Sequence, residues 1–296
     1  MKKRFLGVLL SVAMVAAVLA GCGSSGAKET AAPAGSETEA ASETEAASEA
    51  ASGETEAAGN TGDVITVGFS QVGAESDWRT ANSESMKSTF STENGYNLIF
   101  DDAQQKQENQ IAAIRNFIQQ EVDYIVLAPV TESGWDTVLQ EAKDAEIPVI
   151  IVDRMVNVSD DSLYTAWVGS NFKLEGQKAC EWLKQYAAAK NMSEVNIVDI
   201  QGTIGASAQI GRSAALEEAA AANGWNLLEQ QTGEFTQAKG QEVMESLLKQ
   251  YDNINVVYCE NDNEAFGAIE AIKAAGKTVG PDGDILVMSF DTTKQG

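Results

Sequence analysis

The sequence predicts an α/β fold of two doubly wound parallel-sheet lobes facing each other across a cleft. Three observations carry that expectation. From Val64 onward, short apolar β-forming runs alternate with helical stretches, each βα unit spanning roughly thirty residues or less. The strand-like runs are apolar on both faces, as parallel strands covered by helices are. The alternation also occurs in two successive sets over about 230 residues, more than one hydrophobic core usually organises.

Residues 64–70 read as the first strand and lead into a loop carrying Gln71 and Glu75. Ser76 or Asp77 is a natural cap for a helix over 78–93, which places Trp78 and Arg79 in its first turn, over the crevice at the strand ends. Packing explains a tryptophan there and explains an arginine poorly. Asn94 and Gly95 stop that helix, and 96–100 form the second strand. A helix starting within 101–109 and running through Gln120 carries Ile111, Ile114 and Ile118 on one face. The third strand covers 124–128, and the segment 131–135 caps a helix ending near Ala145.

Pro148 opens the fourth strand, over 149–152, and this strand ends in Asp153 and Arg154 side by side. Past the carboxyl end of a parallel strand the chain has no sheet partner, so these side chains open into the crevice where α/β proteins bind ligands. Arginine offers a planar fork of donors and aspartate accepts two or more hydrogen bonds. That pairing suits a polyhydroxylated ligand such as a sugar; it equally describes a solvated ion pair at a strand end.

A fifth strand over 163–168 leads to Gly169, Ser170 and Asn171. The alternation then resumes: helix near 174–189, strand 195–200, helix 207–222, strand 225–231, helix 236–250, strand 255–259, helix 263–274 and strand 285–290. Polar residues again stand at strand ends. Arg212 falls within the first turns of its helix, Phe235 precedes a helix, Asn261 follows Cys259 closely, and Asp291 ends the last strand. Gly202, Gly205 and Gly211 do not fit GxGxxG, and no P-loop lysine follows them.

The amino terminus is of another kind. Lys2, Lys3 and Arg4 precede an uncharged, mostly apolar run over 5–20 and then Leu19, Ala20, Gly21 and Cys22. This reads as a signal peptide over 1–21, the run being at the short limit for a bilayer. Its ending resembles the bacterial lipobox, which implies cleavage before Cys22 and diacylglycerol on the Cys22 sulfur. Residues 22–62 are almost entirely Ala, Glu, Ser, Thr and Gly with no aromatic residue, a composition expected of a disordered acidic tether. The lobes are expected at 63–169 and 170–296.

Charge and residue counts exclude several functions. The chain has 44 acidic and 20 basic residues; without the signal and tether, 36 and 16 remain, a net near −20. Nucleic acid and an anionic membrane surface are unexpected partners for such a body. There is no histidine, which removes Ser-His-Asp and Cys-His catalysis and the commonest metal ligand. No metal and no cofactor is expected. Cys180 and Cys259 read as buried free thiols, or as a disulfide in an oxidising compartment.

The blocks at 68–79, 104–111, 141–148 and 240–246 make the sequence resemble the periplasmic sugar-binding proteins of ABC transporters, in the ribose- and galactose-binding branch and near its galactofuranose-binding members. The resemblance runs over 64–296. It implies a lobe on each side of a hinge, closing over one sugar, with first-lobe ligands at Trp78, Arg79, Asp153 and Arg154, and Gln71 or Glu75 beside them. It implies second-lobe ligands at Arg212, Phe235, Asn261 and Asp291, and a polar ligand or hinge residue at Asn171. In that family the chain continues past Asp291, returns to the first lobe and completes it; this chain is therefore expected to be a fragment whose C-terminal part is missing.

The expected function is that of a lipid-anchored, monomeric, non-enzymatic receptor outside the cytoplasmic membrane. It would capture a monosaccharide, galactofuranose first, and deliver it to an ABC permease with its ATPase. Three other readings share the fold. A sugar-sensing input to a chemoreceptor or sensor kinase is one. A repressor would need a basic helix-turn-helix where the signal and tether stand. A glycosidase would use Asp153 with Asp291 as its carboxylate pair.

Overall fold

A computed structural model of the chain describes residues 64–296. The segments expected to form a signal peptide, a lipidated Cys22 and an acidic tether lie outside the described residues. The first sheet contains β1 (Ile65–Gln71), β2 (Tyr96–Asp102), β3 (Tyr124–Leu127), β4 (Val149–Asp153) and β5 (Ala166–Gly169). All are parallel, in the order β2-β1-β3-β4-β5. Between them run α1 (Asp77–Thr89), α2 (Gln107–Gln119) and α3 (Asp136–Asp144). One face of the sheet buries Ile114, Phe117, Ile125, Leu127, Trp135 and Ile151; the other buries Val67, Phe69 and Val126. Burial on both faces is what makes Val149 to Val152 an unbroken apolar run rather than an alternating one.

The chain then crosses to a second parallel sheet. It contains β6 (Asn196–Gln201), β7 (Asn226–Thr232), β8 (Val256–Cys259) and β9 (Leu286–Met288), in the order β7-β6-β8-β9. Its helices are α4 (Phe172–Ala189), α5 (Ser207–Asn223), α6 (Gln237–Gln250) and α7 (Asp262–Ala274). Successive residues of β8 feed opposite cores: Val256 and Tyr258 pack with Cys180 and Leu216, whereas Val257 and Cys259 pack with Met244 and Ile272. Cys180 and Cys259 are therefore on opposite sides of the sheet, and both are buried free thiols. The disulfide alternative is excluded by that placement.

Element boundaries differ from expectation for local reasons. The helix expected over 78–93 ends at Thr89, a separate 3-10 turn covers Thr92–Asn94, and Gly95 takes φ 87° to lead into β2. The next helix begins only at Gln107. Ahead of it the Ala103 and Gln105 N–H groups still bond to Gln71 and Val72 carbonyls, and Gln104 and Gln105 are left-handed. The fifth strand starts at Ala166 instead of 163, because Asp160 caps a 3-10 turn over Asp161–Leu163. β9 is three residues long, shorter than the 285–290 expected.

The carboxyl ends of the two sheets face each other, and their rims are joined. Asp77 N–H donates to Asn263 Oδ1 at 3.0 Å, Met155 N–H to Ser207 Oγ at 2.9 Å, and Glu132 N–H to the Gly205 carbonyl at 2.8 Å. Thr203 Oγ1 lies 3.3 Å from Gln105 Oε1. Each bond has its donor and acceptor on different lobes.

Candidate functional site

A cavity of about 390 Å³ lies between these rims. Its first-lobe wall is built at the ends of β1 and β4. Ser76 caps α1, its Oγ accepting from Arg79 N–H at 3.1 Å, and this cap sets Trp78 and Arg79 in the first turn over the crevice. Arg79 is 2% exposed; its Nε donates to Glu75 Oε1 at 3.0 Å and its Nη2 to Asp153 Oδ2 at 2.7 Å. Burial alone would lower the Arg79 pKa, but Asp153 and Glu75 outweigh it and raise it. Asp153 takes φ 62°, a conformation that aspartate tolerates better than most residues and that turns the chain off the sheet edge.

Asp153 and Arg154 are adjacent without pairing with each other. Arg154 is 3% exposed; its Nη1 donates to the Val130 carbonyl at 3.1 Å and its Nη2 stands 3.5 Å from Glu75 Oε1. Burial, and then the neighbouring Arg79, pull its pKa down to about 10, so it keeps its charge at neutral pH. Glu75 thus lies between two guanidiniums. Its Oε2, and Nη1 of Arg79, are buried without a protein partner. Buried polar groups are ordinarily bonded, and these two belong to side chains that line the cavity.

The second-lobe wall is organised by Arg212 on α5. Its Nη2 bonds to Glu175 Oε2 at 2.9 Å and stands 3.5 Å from Asp291 Oδ1, while its Nη1 donates to the Glu260 carbonyl. The guanidinium carbon lies 4.5 Å from the Phe290 ring centroid and 5.2 Å from that of Phe172. Burial lowers the Arg212 pKa, and Asp291 and Glu175 more than restore it. Asp291, at φ 93°, is pushed up to about 6 by burial, against the pull of Arg212 and with Asp262 and Asp153 adding to the rise. Phe235 closes the wall, its ring centroid 4.9 Å from the Arg154 guanidinium on the other lobe.

Trp78, Arg79, Asp153, Arg154, Arg212, Phe235, Asn261, Asp291 and Glu75 all line this one cavity. Two expected residues do not. Gln71 is fully buried at the end of β1, donating to Asn82 Oδ1 and Ser83 Oγ and accepting from Val72 N–H; it fastens α1 to the sheet. Asn171 is exposed, and its Oδ1 caps α4 by accepting from Leu174 N–H at 3.0 Å. Its neighbours Ser170 and Phe172 line the cavity instead. Phe172, Glu175 and Phe290 were missed from sequence. The signal for Glu175 was its place in the first turn of the helix after the lobe crossing.

Three guanidiniums and four carboxylates therefore surround one space, close to charge balance, with Trp78, Phe172, Phe235 and Phe290 as aromatic walls. Such a set offers donors and acceptors to hydroxyls and apolar faces to C–H groups, and gives a net ionic ligand little advantage. Among the described residues, no group of three or more His, Cys, Asp and Glu side chains is placed to hold a metal ion. No helix of the described residues is long and apolar enough to cross a membrane.

Known proteins share this architecture. The periplasmic binding protein domain matches residues 67–296. The galactofuranose-binding protein YtfQ of Escherichia coli (strain K12) is 47% identical over 231 residues, covering 77% of this chain and 71% of that protein. A crystal structure from Mycobacterium smegmatis in complex with β-D-fucofuranose is 48% identical at a TM-score of 0.72, over 76% of this chain and 73% of that one. The binding protein component of the arabinose ABC transporter from Shewanella sp. ANA-3, bound to α- and β-L-arabinofuranose, is 48% identical at a TM-score of 0.72, over 77% and 74%. The chain belongs to the periplasmic binding protein family and has its type I fold of parallel α/β sheets.

Proposed function

We propose that this chain is a non-catalytic receptor that captures a monosaccharide, a furanose such as galactofuranose first, between its two lobes and delivers it to an ABC permease. The observation that carries this reading is the near-balanced set of charges around the cavity, with Glu75 Oε2 and Arg79 Nη1 buried and unpaired among them. A neutral polyol satisfies such groups without adding a charge. Binding of furanoses by relatives nearly half identical in sequence supports the choice of ring form. Asp153 and Asp291 each stand against an arginine, an arrangement suited to accepting hydroxyl protons in hydrogen bonds rather than to proton transfer.

The test is calorimetry of the full chain against galactofuranose, arabinose, ribose, galactose, myo-inositol and a set of amino acids, with the sugars analysed afterwards. A furanose should bind best, at one site, and be recovered unchanged. Tight binding of an amino acid, or conversion of the sugar, contradicts the proposal. The same reading places the protein outside the cytoplasmic membrane, held by lipid on Cys22 and acting as a monomer. Cys22→Ser should then leave the protein uncleaved at that site or released from the membrane fraction, since the acyl chains supply the membrane affinity; cleavage and membrane retention both unchanged would remove the anchor from this reading.

A further inference from the structure

Glu264 is fully buried in the first turn of α7 and does not line the cavity. Its Oε1 accepts the Phe235 N–H at 2.8 Å. Asn261 completes the grip: its Nδ2 donates to the Phe235 carbonyl at 3.0 Å and its Oδ1 accepts Glu264 N–H at 2.8 Å. The backbone held in this way is strained. Glu234 and Phe235 take φ of 56° and 61°, and two successive non-glycine residues stay left-handed only where their surroundings over-determine them.

Clearance around the carboxyl is small. A Cβ on Gly233 would come within 2.8 Å of Glu264 Oε1, and one on Gly240 within 2.8 Å of the Glu264 main chain, so Glu264 occupies a slot kept open by two glycines. Burial pushes its pKa well up, against the pull of the Phe235 amide. The Phe235 ring passes close over Gly202, where a Cβ would meet its Cζ at 1.9 Å, and reaches Arg154 on the opposite lobe.

We propose that Glu264 is a positioning residue for ligand capture: its carboxyl holds the turn at Glu234 and Phe235 left-handed, and so keeps the Phe235 ring against Arg154 across the cleft. Glutamine at 264 retains the acceptor oxygen; leucine removes it at similar volume. The inference rests on the reading of the cavity as a sugar site, so its test has one measurement with sugar and one without.

The variants are Glu264→Gln, Glu264→Leu, Phe235→Ala and the double variant Phe235→Ala with Glu264→Leu, all in the full chain. Without sugar, amide hydrogen exchange at Phe235 should speed up in Glu264→Leu and stay slow in Glu264→Gln. With galactofuranose, Glu264→Leu should weaken binding by about tenfold or more and Glu264→Gln by less than about threefold. In the Phe235→Ala background Glu264→Leu should cost nothing further, because its effect passes through that ring. Equal losses in both backgrounds, equal losses for Leu and Gln, or unchanged exchange at Phe235 would overturn the proposal. If the parent binds no sugar, the functional reading fails and the exchange measurement alone decides the positioning claim. Should Glu264→Leu fail to fold, Glu264→Asp, which withdraws the oxygen by one methylene, takes its place.

Discussion

Replacing Asp291 by asparagine should make the ligand-free protein more stable and the ligand-binding protein weaker. The carboxylate is mostly buried, lies 3.5 Å from Arg212 Nη2, and is pushed from 3.8 up to about 6, chiefly by burial. A rise of that size corresponds to about 3 kcal/mol of native-state destabilisation above pH 6. The sign follows from proton binding. Between about pH 4 and 6 the folded protein holds this proton more tightly than the unfolded chain, so the contribution is present at low pH and is lost as pH rises through about 6. Asparagine removes the charge and with it this pH dependence, while Arg212 keeps Glu175 at 2.9 Å. For a chain of this size 3 kcal/mol is an upper limit of roughly 6–12 °C in the unfolding midpoint at pH 7.5. A gain of several degrees is expected. Sugar affinity should fall about tenfold, the cost of a charge-assisted hydrogen bond. Thermal unfolding at pH 5 and pH 7.5, followed by calorimetry, measures both. An Asp291→Asn protein less stable than the parent at pH 7.5, with the parent's pH slope intact, would make Asp291 an ordinary structural partner of Arg212.

Three further outcomes are expected. Arg154→Ala removes a buried guanidinium shared by Glu75, the Val130 carbonyl and the Phe235 ring, and should weaken sugar binding by at least about tenfold in calorimetry. Ser207→Ala removes the Met155 N–H bond between lobes from a residue that does not line the cavity, so affinity should drop about two- to tenfold by the same factor for every sugar that binds. A changed rank order among sugars would place Ser207 in the site itself. Gly202→Ala forces a Cβ to within 1.9 Å of Phe235 Cζ, which should lower unfolding free energy by about 1–3 kcal/mol and weaken binding together, read by denaturant titration and calorimetry.

The residues legible from sequence were those whose position follows from a strand end or a helix start. Asp153 and Arg154 follow an apolar run too short to be a helix; Arg79 follows a good cap; Arg212, Phe235, Asn261 and Asp291 stand where a strand gives way to a helix or loop. What sequence could not supply was the direction of a side chain. Gln71 closes β1 just as Asp153 closes β4, but its side chain turns to Asn82 and Ser83 under α1. Asn171 is consumed as a helix cap. The expected start of α4 near 174, two residues past the true start at Phe172, left Phe172 in what looked like connecting chain; Glu175 fell in the first turn of the expected helix, where its direction into the cavity was not legible. Glu264 was illegible altogether, because its partner, Phe235 N–H, is 29 residues away and meets it only through the packing of α6 against α7.

If a near-balanced ring of arginines and carboxylates makes the cleft complementary to a neutral furanose, a charge added to the ligand should be penalised. Paired calorimetric titrations of the full chain with galactofuranose, and with its analogue in which one hydroxymethyl group is oxidised to a carboxylate, test this most directly. The two differ little in size and by one charge. The neutral sugar should bind at one site, and the carboxylate about a hundredfold or more weaker, since it adds an uncompensated charge to a buried site already holding four carboxylates. Equal or tighter binding of the carboxylate would show that charge balance does not select the ligand of this cleft.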